Sequence, residues 1–480
     1  MMESAQQPGW FNRAYLRFVS PVVERRSHQG IAERVNRYRQ LESFSLEENR
    51  SHQWQALLKL LNHAYDSSPF YRRRFDSAGI RLEEIQSPAD LARIPPLTRD
   101  DIRNNLNDLC SQNYRSEELL RAATGGTTDT PVPIARSLHS VQEKVAVHLC
   151  FNGWAGYHPG DKVFMVWGAR SDYSQNPTLR WRLFDRLVMR RIWAPTSLFN
   201  EQILESYRLS LNDFRPKVLY GYPSPISMFC EYLQSSRRPF HRPATVITIA
   251  EPLLAHQRKV IEQTVGCKVF EMYGTREFGV IAAECELHVG MHVNPAAAYV
   301  EFLPVKGAEV DGLHEILVTD LLNDGMPLIR YRINDCTLLG PQTCACGRGY
   351  PMIRQITGRT MDVFYLPNGD VVPGISLQNR VIQVCPGLKK MQVIQDTLEE
   401  FRVRFVPGPE FSRNDIDLLL GNLKKFFPDD VRWKLEQVSE IERERNGKTR
   451  FCISYVKSPA VHVNGILQRP GLETGYEGRP

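Results

Sequence analysis

The amino-acid order predicts an α/β protein: a large N-terminal unit of layered sheets and helices, followed by a small α+β unit. Three observations carry that reading. After Pro95-Pro96, short apolar runs alternate with helical stretches, the rhythm of sheets flanked by helices. Those runs end in polar or glycine-containing loops, where α/β sheets bind ligands. Past Gly358 the rhythm gives way to a compact mixture of hairpin, strand and helix. The 480 residues, 42% hydrophobic and 24% charged, suffice for two domains and exclude disorder throughout.

Residues 1–95 read as a helical lead. Trp54, Leu57, Leu58, Leu60, Leu61 and Ala64 recur at helical spacing until Ser67-Ser68-Pro69 interrupts them. Apolar runs ending at Trp167 before Gly168 and at Tyr220 before Gly221 predict strands, as do Thr245 to Ala250 and Cys267 to Tyr273. A helix from about Leu254 to Gln263 separates the last two. The change of pattern sets a boundary near 358–362, giving units of 1–358 and 359–457. In the second, Leu366-Pro367-Asn368-Gly369-Asp370 predicts a hairpin turn, Phe401 to Phe405 a strand, and Ile416 to Phe427 a helix. Residues 458–480, rich in Gly and Pro, are expected to form a disordered tail. No internal repeat is evident.

Lys plus Arg total 60 against 54 for Asp plus Glu, a formal charge of +6 too thinly spread to call for nucleic acid. Arg25-Arg26, Arg72-Arg73-Arg74 and the stretch Arg186 to Arg191 read as solvated faces, or for one of them as a seat for nucleotide or coenzyme A phosphates. Without a cleavable leader pattern or a spanning apolar run, a soluble cytoplasmic protein is expected. The ten cysteines are irregularly spaced and do not suggest a disulfide framework.

The most informative stretch is Ala123-Thr124-Gly125-Gly126-Thr127-Thr128-Asp129-Thr130-Pro131. Its glycines let backbone approach an anion, and its hydroxyls and N–H groups are donors. It lacks the ending of a Walker loop and, taken alone, is equally an ordinary turn. Three pieces follow in order: Ala250-Glu251-Pro252-Leu253, Tyr273-Gly274-Thr275-Arg276-Glu277 and Tyr331-Arg332-Ile333-Asn334-Asp335. With Gly358-Arg359 and Asn446-Gly447-Lys448, the set resembles the acyl/aryl-adenylating superfamily, and within it the phenylacetate-coenzyme A ligase branch and its capsule-biosynthesis relatives. The resemblance spans roughly Ser43 to Phe451.

It implies a large adenylate-forming domain with a small mobile lid, and activation of a small carboxylic acid, aryl or arylacetic, by ATP before transfer to coenzyme A. Thr124, Gly125, Gly126, Thr127 and Thr128 would hold the β- and γ-phosphates. Glu251, Pro252 and Thr275 belong to the nucleotide-binding set. Tyr273 would stack on adenine, with Gly274 close to the nucleotide. Glu277 would coordinate Mg²⁺. Asp335 would accept from both ribose hydroxyls, assisted by Arg359. Lys448 would offset charge on the acyl-phosphate during adenylation, although locally it is also an ordinary hairpin lysine.

Cys285, His288, Cys344 and Cys346 offer three thiolates and an imidazole, a tetrahedral set suited to structural Zn²⁺; ordinary buried cysteines are the plainer alternative. His292 ranks second to His288 as a ligand and resembles a position near the acyl pocket. Tyr220, Gly221 and Tyr222 end a strand and would form a wall of that pocket, or else simple core aromatics.

Several residues depart from the family pattern: Asp129 and Thr130 where glycine and lysine are usual, Ile333-Asn334 for Thr-Gly, Arg276 for a small hydroxyl residue, and Met361 at the hinge. Two rivals therefore stand beside the coenzyme A reading: transfer to an amine or hydroxyl, and a nucleotide-binding relative without turnover.

Overall fold

The computed structural model describes residues 8–23, 29–123, 132–167, 178–196, 201–305 and 312–359. In the C-terminal part it describes 363–367, 371–373, 385, 387–408, 410–424, 427, 430–442 and 451–456. The helical lead is present as Ile31–Leu41, Leu46–Ser67 and Pro69–Ser77. The helix Leu46–Ser67 begins on a capping box, in which Ser45 Oγ accepts from Glu48 N while Glu48 returns the bond. It stops at the Ser-Ser-Pro sequence because Pro69 cannot continue it and suits the first turn of the next helix. Arg34, Arg37 and Tyr38 of the lead all engage Glu143, a buried carboxylate on the helix Leu138–Trp154.

Eleven described strands form one mixed sheet. Five are parallel: Arg191–Pro195, Val163–Trp167, Val218–Gly221, Thr245–Ile249 and Val269–Thr275, in that spatial order. The remaining six continue antiparallel as Gly279–Glu284, Met291–Val293, Met352–Arg359, Tyr331–Leu339, Leu313–Asp320 and Ala298–Pro304. The parallel strands are buried runs such as Val218–Gly221, as sheets covered on both faces require. The expected helix near 254–263 is Ala255–Val265.

The C-terminal residues have their own sheet, ordered Arg432–Gln437, Glu400–Pro407, Leu388–Gln395 and Cys452–Ser454. The helix Arg413–Leu423 packs into the same core through buried Leu419 and Leu423. Phe364, Phe401, Phe427 and Trp433 form a chain of ring contacts there, 4.8–5.3 Å between successive centroids. Val363–Tyr365 and Val371–Pro373 pair antiparallel, in keeping with the hairpin expected at 366–370. The tail 458–480 lies outside the described residues.

Candidate functional site

Among the described residues singled out in the sequence, Tyr273, Gly274, Thr275 and Glu277 lie where the parallel and antiparallel halves of the sheet meet, and Asp335 reaches Tyr273 there. Tyr273 lies near the end of the strand Val269–Thr275, and its hydroxyl donates to Asp335 Oδ2 at 2.7 Å, both residues being buried. Asp335 pairs in register with Arg359 on the neighbouring strand. The two residues expected to grip adenine and ribose are thus in direct contact, and Arg359 backbone runs beside them.

Asn334, immediately before Asp335, has φ of 63°. Against the strand Leu313–Asp320 the register shifts here, Leu317 pairing with Arg332 but Glu315 with Cys336. A bulge of this kind turns the next side chain, and Asn is the residue after glycine that best tolerates left-handed backbone. The departure from the usual glycine is therefore compatible with the local geometry. Gly274 is required for a different reason: a Cβ there would stand 2.4 Å from the Gly279 carbonyl oxygen. Thr275 Oγ1 accepts from Phe278 N at 3.3 Å, closing the same turn.

Glu277 is buried, with its carboxylate 3.5 Å from the Tyr331 hydroxyl. Its backbone carbonyl accepts from Lys144 Nζ at 2.8 Å, and the same ammonium lies 2.6 Å from Asp320 Oδ2. Burial pushes the Asp320 carboxyl up while Lys144 opposes it. Sequence reasoning missed Lys144 and Asp320; the available signal was a Glu-Lys pair inside the apolar run of the helix Leu138–Trp154. On the other side, Glu251 Oε2 accepts from Ser224 N at 3.3 Å, and Ala250 holds φ of 74°, uncommon for a residue with a Cβ.

Tyr220 and Tyr222 are buried and both contact Trp167, at 6.0 and 5.0 Å between rings. Gly221 between them is needed because a Cβ would meet Val166 O at 2.0 Å. His148, on the helix Leu138–Trp154, places Nε2 3.0 Å from the Tyr220 hydroxyl. Burial drives its pKa down to about 4, leaving a neutral imidazole, and pushes the Tyr220 phenol up. His148 is a second residue that sequence reasoning missed.

The sulfur cluster requires a correction. Among the described residues, ligand atoms of Cys285, His292, Cys344 and Cys346 all lie within 4.8 Å of one another. His292 Nε2 is 3.4 Å from Cys346 Sγ, and His292 is fully buried with its ring edge-on to Trp154. His288 instead turns away: its Nδ1 is 3.2 Å from Glu284 Oε2 and its ring lies on Phe270 at 4.6 Å. The expected order of the two histidines is reversed, and His292 stands among thiols.

The donor set fits zinc. About 2.3 Å metal–sulfur bonds give tetrahedral S···S edges of about 3.8 Å, and Cys285 Sγ to Cys344 Sγ is 3.8 Å. Burial, reinforced by the neighbouring thiols, pushes the Cys285 pKa up, and burial lowers His292 to about 4. A bound cation would stabilise thiolates where burial opposes them. Arg348 lies over the Trp154 ring at 4.5 Å and pairs with Glu286 at 2.8 Å, bracing the cluster.

Thr124, Gly125, Gly126, Thr127, Thr128 and Asp129 fall outside the described residues, as do Met361 and Lys448, and the Arg359 side chain is likewise not described. The flanks of this stretch are described: Leu120–Ala123 pairs antiparallel with Pro133–Arg136. Ser137 then caps the helix Leu138–Trp154 by accepting from Ser140 N.

Residues 364–455 match the CapK C-terminal domain family. Protein CapK of Staphylococcus aureus is 24% identical over 400 residues, covering 82% of this chain and 87% of that protein. The phenylacetate-coenzyme A ligase of Escherichia coli (strain K12) is 27% identical over 356 residues, covering 72% and 78%. In structure, 2-hydroxyisobutyryl-CoA ligase in its postadenylation state aligns with a TM-score of 0.67 at 20% identity, covering 86% of this chain and 91% of that one. The chain is therefore a relative of CapK and the phenylacetate-coenzyme A ligases, built on the fold of adenylate-forming coenzyme A ligases.

Proposed function

We propose that this chain uses ATP to convert a small carboxylic acid, aryl or arylacetic, to its acyl-AMP and then transfers the acyl group to coenzyme A. The observation that carries the reading is the 2.7 Å contact between Tyr273 and Asp335 beside the Arg359 backbone, because the chemistry needs an adenine platform and a ribose acceptor side by side. In the first half-reaction a carboxylate oxygen bonds to the α-phosphorus and the bond to pyrophosphate breaks. In the second, the thiol sulfur bonds to the acyl carbon, AMP leaves with the electron pair, and the thiol proton passes to solvent.

In this reading Tyr273 offers its ring to adenine while its hydroxyl orients Asp335 for the ribose. Thr124 to Thr128 donate to the phosphates, and Lys448 offsets charge on the acyl-phosphate. Glu277, a carboxylate on backbone tied down by Lys144, would hold Mg²⁺, which would supply charge neutralisation at the phosphates. Tyr220, Gly221 and Tyr222 wall the acid pocket. The unit 359–457 acts as a lid turning about 359–362 between the half-reactions. Cys285, His292, Cys344 and Cys346 would hold a structural Zn²⁺ with every position filled by protein. The proposed compartment is the cytoplasm.

Transfer to an amine or hydroxyl is a second reading: the lid would meet the acceptor, and residues 364–455 match a CapK-type domain, whose name specifies no coenzyme A chemistry. The deciding experiment is pyrophosphate release across a panel of aryl and acyl acids, with and without coenzyme A. Acid-dependent release followed by thioester supports the first reading, and adenylate without thioester the second. ATP binding with no acid-dependent release across the panel would overturn both in favour of a relative without turnover.

A further inference from the structure

Two neighbouring helical segments leave apolar side chains in water with arginines threaded between them. The first is the consecutive set Trp10–Ala14, Tyr15–Val19 and Ser20–Val23, in which Trp10 is 77%, Phe18 66% and Val22 67% exposed. The second is the helix Leu179–Leu187, in which Leu179 is 72%, Trp181 47%, Leu183 47% and Leu187 67% exposed. They are joined directly: the Tyr15 hydroxyl donates to Val188 O at 2.7 Å, and the Arg190 guanidinium lies 5.1 Å from the Phe11 ring centre. More than half of the large exposed hydrophobic side chains among the described residues belong to these two segments. Such a concentration on a surface marks an interaction face.

We propose that this face seats the protein on an anionic lipid bilayer. The charge pattern chooses the partner. Trp10–Val23 carries Arg13 and Arg17 and no acidic residue, while Leu179–Leu187 carries Arg180, Arg182 and Arg186. Its one carboxylate, Asp185, is buried and paired with Arg191 at 3.0 Å; Arg186 is paired with Asp213 at 2.7 Å. Tryptophan and leucine beside arginine suit the boundary of acyl chains and headgroup phosphates. A two-fold contact with a second copy would set arginines against arginines. No helix among the described residues is long and apolar enough to cross a membrane, so the face would rest on the bilayer.

Full-length protein mixed with vesicles of phosphatidylglycerol and phosphatidylcholine at low ionic strength is expected to co-sediment, but not with phosphatidylcholine alone. Trp10→Ser with Trp181→Ser should weaken binding about tenfold or more. Arg180→Gln with Arg182→Gln should weaken it about fivefold per charge removed. Thermal midpoint and acid-dependent pyrophosphate release should stay unchanged in both variants. Absence of binding to the anionic vesicles overturns the proposal, as does wild-type binding by both variants. Dimers in sedimentation equilibrium that vanish with the tryptophan pair, without vesicle binding, would assign the face to a second copy and overturn it too.

Discussion

Asn334 stands, with left-handed backbone, where the family resemblance leads to an expectation of glycine. Its φ of 63° is a conformation that a β-branched side chain resists, and the neighbouring Asp335 depends on it for its aim. Asn334→Gly is expected to leave ATP affinity within about twofold, whereas Asn334→Val should cost about 1–2 kcal/mol of stability and weaken ATP binding. Thermal unfolding and calorimetric titration with ATP check both; a valine variant that binds normally would remove the role given to the bulge. Glu271 offers a test of a different kind. Its carboxylate accepts from Leu253 N at 2.9 Å, and burial raises its pKa to about 7 from an ordinary 4.5. Below pH 4.5 it is protonated in both folded and unfolded chains, so its contribution is complete. As pH climbs toward 7 the unfolded carboxylate ionises while the folded one resists, and stability is lost across that window. The thermal midpoint of Glu271→Gln, compared with wild type at pH 5 and pH 7.5, should lose part of the decline, and an identical decline in both proteins would contradict the assignment.

Between strands, the sulfur cluster shows what spacing can and cannot reveal. Cys285-Glu286-Leu287-His288 has the look of a ligand pair, yet His288 sits in a turn with φ of 52° and is held by Glu284. His292 lies on the next strand, Met291–Val293, paired with Met352 just beyond the Cys344 and Cys346 loop. The sequence could identify three cysteines and a histidine as the ligand set but not which histidine the strand would turn inward. His292→Ala should therefore purify with little zinc and a midpoint several degrees lower, while His288→Ala should keep about one zinc per chain. Elemental analysis of the two variants decides it; zinc retained by the first and lost by the second would restore the original order. By contrast the stop at Ser67 and the start at Pro69 were readable, because proline's missing N–H acts locally.

For the molecule as a whole, the fold class was legible because its strands and motifs lie within short stretches whose order is distinctive, and the contact of Tyr273 with Asp335 joins two of those stretches. The supports were not. Lys144 reaches Asp320 across 176 positions and His148 reaches Tyr220 across 72, and no periodicity reports such distances. The unit 359–457, proposed as a lid, is tested through Lys448. Lys448→Ala should abolish acid-dependent pyrophosphate release while sparing thioester formation from supplied acyl-AMP, and equal loss of both would count against alternation. The helix Leu138–Trp154 carries three of these supports. Lys144 holds the Glu277 carbonyl, His148 meets Tyr220 and Trp154 meets His292, three points strung along about 15 Å of one rod. In the proposed reading, where Tyr220 walls the acid pocket, sliding that rod to make room for a bulkier acid would loosen the Glu277 turn and the sulfur cluster together. On that reading, substrate range would be free to drift through the identity of side chains such as position 148, and closed to drift through displacement of the helix that carries them.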